Sequence, residues 1–167
     1  MQNIKKSALL KKKKMQKINL RWKNGTGITN YVKRLNDFLG FIYLIELENG
    51  EYYVGRKQFW AKRGNGWVEN DWRDYYSSSK TIQRTPDKII GKTILAIFKS
   101  KSAIRFAEAY GIINSGAYLD SDKGLNWSFE GSRGTIKMDP EDDEQFNRLV
   151  SWCGRWKRKQ DKEKIKE

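Results

Sequence analysis

Tyr43, Tyr53, Arg63, Glu108 and Asn126 are the side chains whose types and order along this chain suit the hydrolysis of a phosphodiester. That reaction needs a group to activate water, a cation to meet the charge on a pentacovalent phosphorus, and a metal to offset charge on the leaving oxygen. A tyrosine pair, an arginine and a lone carboxylate offer one of each. The chain contains no histidine, which excludes a Ser-His-Asp or Cys-His mechanism, a His-based zinc site and a His-dependent nuclease metal cradle. With Cys153 as its single cysteine, it is also a poor host for a transition metal. Proton transfer then falls to Tyr, Lys, Asp, Glu or metal-activated water, and any metal is a hard cation held through carboxylates.

The partner is indicated by charge. A formal net charge of +14 and a pI near 9.8 exceed what solubility asks for and favour a polyanion, bound through phosphate neutralisation and counterion release. No run approaches the roughly 18 apolar residues that span a bilayer, so a membrane is not the expected partner. Cys153 cannot form an internal disulfide, and Leu9 and Leu10 are not followed by an apolar signal core. The expected setting is intracellular and reducing, in the cytoplasm. At 167 residues and 38% hydrophobic content, the chain has room for one packed domain with tails.

The elements that must position these residues follow from the pattern of apolar and turn residues. Residues 1–39 read as a basic arm, because the lysines and arginines from Met1 to Asn24 face no acidic residue and repel one another. A short helix from Ile28 to Leu39 would lead into the domain. Phe41-Ile42-Tyr43-Leu44-Ile45-Glu46-Leu47 and Tyr52-Tyr53-Val54-Gly55 flank Asn49-Gly50, which predicts an antiparallel hairpin over residues 41–56 with a type I′ turn. A helix is expected from Lys57 to Lys62, then a loop through Arg63-Gly64-Asn65-Gly66. The Ser77-Ser78-Ser79 run should cap a helix near Lys80, with Pro86 ending it. Thr93 to Phe98 suits a buried central strand, and Ser102 would cap the following helix, which carries Glu108. An amphipathic stretch from Phe146 to Trp156 follows, with a charged tail from Lys157 that should fray. The fold class is α+β: a small three-stranded antiparallel sheet flanked by helices, with basic extensions at both ends.

Phe41-Ile42-Tyr43, followed after a spacer by Tyr53-Val54-Gly55, resembles the GIY and YIG motifs of the GIY-YIG endonucleases. Arg63 stands eight residues after Gly55, where that family keeps an arginine on a helix. Tyr76-Ser77-Ser78 resembles a His- or Tyr-containing segment of the family, Glu108 falls where its metal-binding glutamate belongs, and Leu125-Asn126 matches its final asparagine. The resemblance spans about residues 40–131, and its strength lies in ordered matches that are each weak alone. Two departures are plain: Phe41 stands in the glycine position of the first motif, with glycine only at position 40, and the family's commoner histidine is absent.

The resemblance implies an endonuclease, of phage or mobile-element kind, that cuts double-stranded DNA with one divalent cation. Magnesium suits a site of one carboxylate plus waters and substrate phosphate. Tyr43 would be the general base or orient the attacking water, with Tyr53 supporting it. Arg63 would contact the scissile phosphate, Glu108 would hold the metal, and Asn126 would steady the site. Tyr76 would assist proton transfer or bind phosphate; Tyr75 remains an alternative, with Tyr76 preferred because it directly precedes the serine pair. Lys11, Lys12, Lys13, Lys14, Arg56, Lys57 and Lys62 would grip the phosphate backbone. The implied organisation is an arm at 1–39, a catalytic domain at 40–131 and a helical extension at 132–167.

Each residue also has a plainer reading. Tyrosines on a hairpin commonly make a half-buried sheet surface. Glu108 and Arg63 are ordinary surface charges when taken alone. Trp60, Trp67, Trp72 and Trp127 fit a small core better than a stacking platform, and Cys153, near Trp152 and Trp156, suits the core of the last helix. A second functional reading keeps the fold and its DNA-binding surface but acts by binding alone, for instance in transcription shut-off. Cutting both strands with one site would require a transient dimer or two successive nicks by a monomer, and the sequence does not choose between them.

Overall fold

The fold is that of a computed structural model, described for residues 18–20, 28–31, 35–118, 123–126, 136 and 138–166. Three strands form its centre: β3 (Gly40–Leu47), β4 (Tyr52–Gln58) and β7 (Ile89–Phe98), antiparallel in the order β4-β3-β7. Ahead of them lie β1 (Ile18–Leu20), β2 (Ile28–Tyr31) and a 3₁₀ turn at Leu35–Asp37. Between β4 and β7 come β5 (Trp60–Arg63), β6 (Gly66–Glu69) and the short helix α1 (Lys80–Arg84). The helices α2 (Lys101–Ser115) and α3 (Pro140–Lys164) complete the fold. The expected α+β class and three-stranded antiparallel sheet are both present.

β3 is the middle strand, so its side chains divide between two apolar clusters on opposite faces. Ile42 and Leu44 join Val54, Leu95, Ile104, Ile112, Leu149, Cys153 and Trp156 on the face covered by α2 and α3. Phe41, Tyr43 and Ile45 join Phe59, Trp72, Ile82 and Ile94 on the other face. Full burial of residues of this size contributes about 1.5–3 kcal/mol each, which fixes the register of β3 against a slip that would exchange its faces.

α3 is tied into the sheet by its polar residues as well. Asp139 caps it, accepting hydrogen bonds from the amides of Glu141 and Asp142, and Pro140 occupies the first turn, where its missing N–H costs nothing. Asp142 then accepts from the Lys99 amide at 2.8 Å and Gln145 from the Ile97 amide at 3.3 Å, so side chains of α3 meet backbone donors at the end of β7. Burial raises the Asp142 pKa against the pull of the Lys99 amide.

Several expectations are corrected. Ile28–Tyr31 is a strand, paired with β1 through Ile18↔Tyr31 and Leu20↔Ile28, and not the start of a helix. The hairpin at Asn49-Gly50 is not a two-residue I′ turn: the Gly50 amide bonds to the Leu47 carbonyl at 3.0 Å, which puts Gly50 after the corner, with φ 81°. β7 is an edge of the sheet, although buried from Ile94 to Phe98. Ser100, not Ser102, caps α2, accepting from the Ala103 amide at 3.0 Å. The charged tail continues α3 as far as Lys164.

The largest correction concerns Lys57–Lys62. No helix forms there: β4 runs on to Gln58 and the chain turns into the β5–β6 ribbon, with the pairs Trp60↔Glu69, Ala61↔Val68, Lys62↔Trp67 and Arg63↔Gly66. Phe59 decides this. Its side chain is fully buried against Phe41 and Trp72, with ring centroids 5.1 and 5.2 Å away. Its amide bonds to Leu39 and its carbonyl to the Asn70 amide. A helix from Lys57 would withdraw that anchor, so tertiary packing overrides local propensity. Gly64-Asn65 is then the two-residue turn of the ribbon, with Gly64 at φ 56°.

Candidate active site

Register brings the motif residues together. Tyr43 on β3 pairs with Gly55 on β4, and Ile45 pairs with Tyr53, so both tyrosines stand on the same face of the sheet in neighbouring rows. Their ring centroids are 6.1 Å apart. The Tyr43 phenol passes over Gly55: a Cβ there would stand 2.6 Å from its Cζ and Oη and 2.7 Å from Tyr53 Cε1. Glycine is required at position 55 because the tyrosine of one motif occupies that volume. Gly40 answers a similar need, since a Cβ there would meet the Lys57 carbonyl of the partner strand.

Tyr43 is buried and donates a hydrogen bond to Ser77 Oγ at 3.4 Å. Ser77 is itself buried; its hydroxyl accepts from the Ser79 amide and its carbonyl from Gln83 Nε2. Burial drives the Tyr43 pKa well above its ordinary value, and the neighbouring phenols of Tyr53 and Tyr75 add to the rise. Burial likewise raises that of Tyr53, with Ser78 opposing the shift and the Glu108 carboxylate adding to it. With only protein groups around them, both phenols keep their protons at neutral pH.

Glu108 sits two turns into α2, and its Oε2 lies 2.9 Å from Arg56 Nε. The two side chains are 14% and 26% exposed, so the pair lies partly open to solvent where the helix meets the edge strand β4. Arg56 follows Val54 in the β4 alternation and therefore shares the helix-facing side of the sheet. Gly111 on α2 allows the close approach, as a Cβ there would be 3.3 Å from Val54 Cγ1. Glu108 opposes ionisation of Tyr53 although the tyrosine belongs to the other face, because β4 is an edge and groups from both faces meet around it.

Asn126 lies against the same strand. Its Oδ1 accepts from the Val54 amide at 3.0 Å, and its Nδ2 donates to the Val54 carbonyl at 2.7 Å. The preceding residues continue the attachment: the Tyr52 amide bonds to the Lys123 carbonyl, and the Leu125 amide to the Tyr52 carbonyl. Asn126 thus holds the outer edge of β4 directly beside Gly55 and Arg56.

The other expected residues divide differently. Arg63 is exposed at the end of β5 and is not on a helix; Arg56 is the arginine paired with Glu108. Tyr75, not Tyr76, stands against Tyr43, with ring centroids 6.2 Å apart and a T-shaped packing. Tyr76 is exposed, with Lys92 Nζ 4.8 Å over its ring. Lys57 is bound to Asp71 at 2.7 Å and lies 3.7 Å over the Tyr75 ring, and Lys62 is exposed on the ribbon. Lys11 to Lys14 and Trp127 lie outside the described residues. Sequence reasoning missed Ser77 and underrated Tyr75. The serine run was legible as the start of a helix, where Ser79 holds the cap position without a side-chain cap bond, but nothing in it marks which hydroxyl turns inward.

Among the described residues there is no cluster of three or more ligating carboxylates, cysteines or histidines. One partly exposed carboxylate suits a hard divalent ion that completes its shell with waters and substrate phosphate. Glu108 is the group here that fits this description, and Arg56 fixes its orientation.

Residues 28–127 match the SegE_GIY-YIG family model, the GIY-YIG domain of segE, an endonuclease by designation. No curated protein and no solved structure matches the chain.

Proposed function

The chain belongs to the GIY-YIG endonuclease family, and from that premise we propose that it hydrolyses DNA phosphodiester bonds with one divalent ion held by Glu108. The observation that carries the proposal is the Arg56–Glu108 pair at 2.9 Å, at the edge of β4 and beside the Tyr43–Tyr53–Tyr75 cluster. Magnesium is the ion of choice for a single carboxylate, and when bound there it would offset charge on the leaving oxygen. Arg56 binds a non-bridging oxygen of the scissile phosphate, taking the part the sequence assigned to Arg63. Its guanidinium can hold carboxylate and phosphate together, because it carries five donors in a planar fork.

Tyr43 and Tyr53 orient the attacking water while protonated. Either one could act as a base only as the phenolate, after giving its own proton to solvent, and a divalent cation held nearby would favour that loss by opposing the rise in its pKa. Tyr75 packs on Tyr43 and confines the phenol to one direction, with Ser77 accepting its proton in the resting hydrogen bond. Asn126 positions the strand, not the substrate. Double-stranded DNA is the proposed substrate, and the phage or mobile-element kind of nuclease is the proposed relation.

A second reading, DNA binding without cleavage, draws on the same ion pair, since Arg56 engages the one carboxylate that would take the metal. Incubating the purified chain with supercoiled plasmid separates the two. Nicking or linearisation that needs magnesium and is lost both in EDTA and in Glu108→Ala supports the nuclease. A salt-sensitive mobility shift with no cutting supports the binding protein.

A further inference from the structure

We infer that the β5–β6 ribbon is a DNA-groove element, with Lys62, Arg63 and Trp67 as its contact residues. The inference rests on the reading of DNA as substrate, and it assigns the sequence-contacting surface of that same site.

Among the described residues the ribbon pairs with no other sheet, and each residue from Lys62 to Glu69 is exposed. A lone two-stranded ribbon gains little stability in water, so one that also carries an exposed tryptophan calls for a partner. Trp67 is 64% exposed and stands opposite Lys62, with Arg63 beside the turn. Tryptophan with lysine and arginine on a tip suits nucleic acid: aromatic faces stack on bases, and the cations meet phosphates or the acceptor edge of guanine.

The base of the ribbon is firmly mounted. Trp60 Nε1 donates to the Phe38 carbonyl at 3.0 Å, and the Asn70 amide bonds to the Phe59 carbonyl at 2.7 Å. Phe59 and Trp72 are fully buried beneath it. Strands of four residues extend about 13 Å, enough to reach into a major groove that is roughly 8.5 Å deep and wide enough for a two-stranded ribbon. Trp60 follows Arg56 by four residues across the bend at Phe59, so the tip reaches bases within about one helical turn of the phosphate held at Arg56. The structure thereby gives Arg63 a place to act away from the cleft.

Trp67→Ala and the double variant Lys62→Ala/Arg63→Ala test this on mixed restriction fragments of plasmid DNA. Binding is measured across a salt series in a Glu108→Gln background, and cut sites are mapped by sequencing in the otherwise wild-type chain. Arg155→Ala/Arg158→Ala serves as a charge-matched control on α3. That helix meets β3 through Lys159 and Glu46, at the end of the strand away from Gly40 and Gln58, where the ribbon begins. The expected result is a tenfold or greater loss of affinity in both ribbon variants and a changed cut-site distribution. The double variant should also lower the slope of log K on log salt by roughly 1–2. Affinity within twofold of wild type with the same cut sites, or a loss no larger than in the α3 control, overturns the inference. If the parent chain binds without cutting while the ribbon variants still weaken binding, the ribbon assignment stands and the nuclease reading falls. If it cuts and the ribbon variants change nothing, the reverse holds.

Discussion

Tyr43 and Gly55 are register partners, and the phenol of the first occupies the volume that any side chain on the second would need. The two motifs are therefore one steric unit: the glycine is present for the tyrosine across from it. Gly55→Ala should displace Tyr43 and cost about 1–3 kcal/mol of stability through overpacking. Plasmid nicking should fall at least tenfold. Thermal unfolding and nicking assays on the same preparation check both, and an unchanged nicking rate would break the link between the motifs.

Asn126→Ala removes two hydrogen bonds and leaves the amide and carbonyl of Val54 without them beside a buried side chain. A loss of about 1–3 kcal/mol is expected from the denaturant midpoint. Asn126→Asp keeps an acceptor for the amide but loses the donor, so it should rescue stability only in part.

Arg56 and Arg63 should separate cleanly. Arg56→Ala is expected to reduce cleavage at least a hundredfold with DNA affinity changed only a few-fold, and Arg56→Lys should not restore it, since a lysine lacks the fork. Arg63→Ala should weaken binding and leave the single-turnover cleavage rate of bound DNA close to wild type. Single-turnover kinetics at saturating protein distinguish the two, and equal loss of that rate in both variants would return Arg63 to the cleft.

Glu108→Gln should abolish cleavage at any magnesium concentration and keep the fold, because Arg56 can still be met by the amide oxygen. Affinity for DNA in EDTA should stay the same or rise, as one negative charge is removed from the cleft. Residual cutting that still responds to magnesium would place the metal elsewhere.

The alkaline limb of stability should carry the mark of Tyr43. Burial raises its pKa in the folded state above the value near 10 of an unfolded chain. Its contribution to stability is therefore complete below about pH 10 and is lost as pH climbs toward the folded value. Urea midpoints at pH 8 and pH 11 should fall further apart for the wild type than for Tyr43→Phe, which has no proton to lose. Equal differences would mean that the phenol is not held as the structure has it.

The sheet was legible because β3, β4 and β7 are runs of β-branched and aromatic residues long enough to fix a period, and the helix that carries Glu108 was legible because α2 follows such a run with helical spacing. Arg63 was misplaced for a reason the local sequence does not carry: Phe59 is drawn into an aromatic cluster with Trp72, thirteen residues onward, and that contact forbids the helix. That Tyr75 and not Tyr76 packs on Tyr43 was hidden for a different reason. Both lie in irregular backbone, where no period assigns faces, and the side chain that turns inward is set by Lys57 and Tyr43 packing around it. Arg56 is within reach of the β4 alternation, which puts it with Tyr52 and Val54, but nothing in the sequence pairs it with Glu108, 52 residues onward.

The buried cysteine of α3 gives the protein a built-in clock. Cys153 is 3% exposed, and burial pushes its thiol pKa up to about 12, so at neutral pH a thiol reagent finds almost no thiolate until α3 lifts from the sheet. As the chain has one cysteine, the labelling rate of any variant reads a single event, the release of that helix. A variant that stops cutting but labels as slowly as wild type has lost chemistry, whereas one that labels fast has lost its frame.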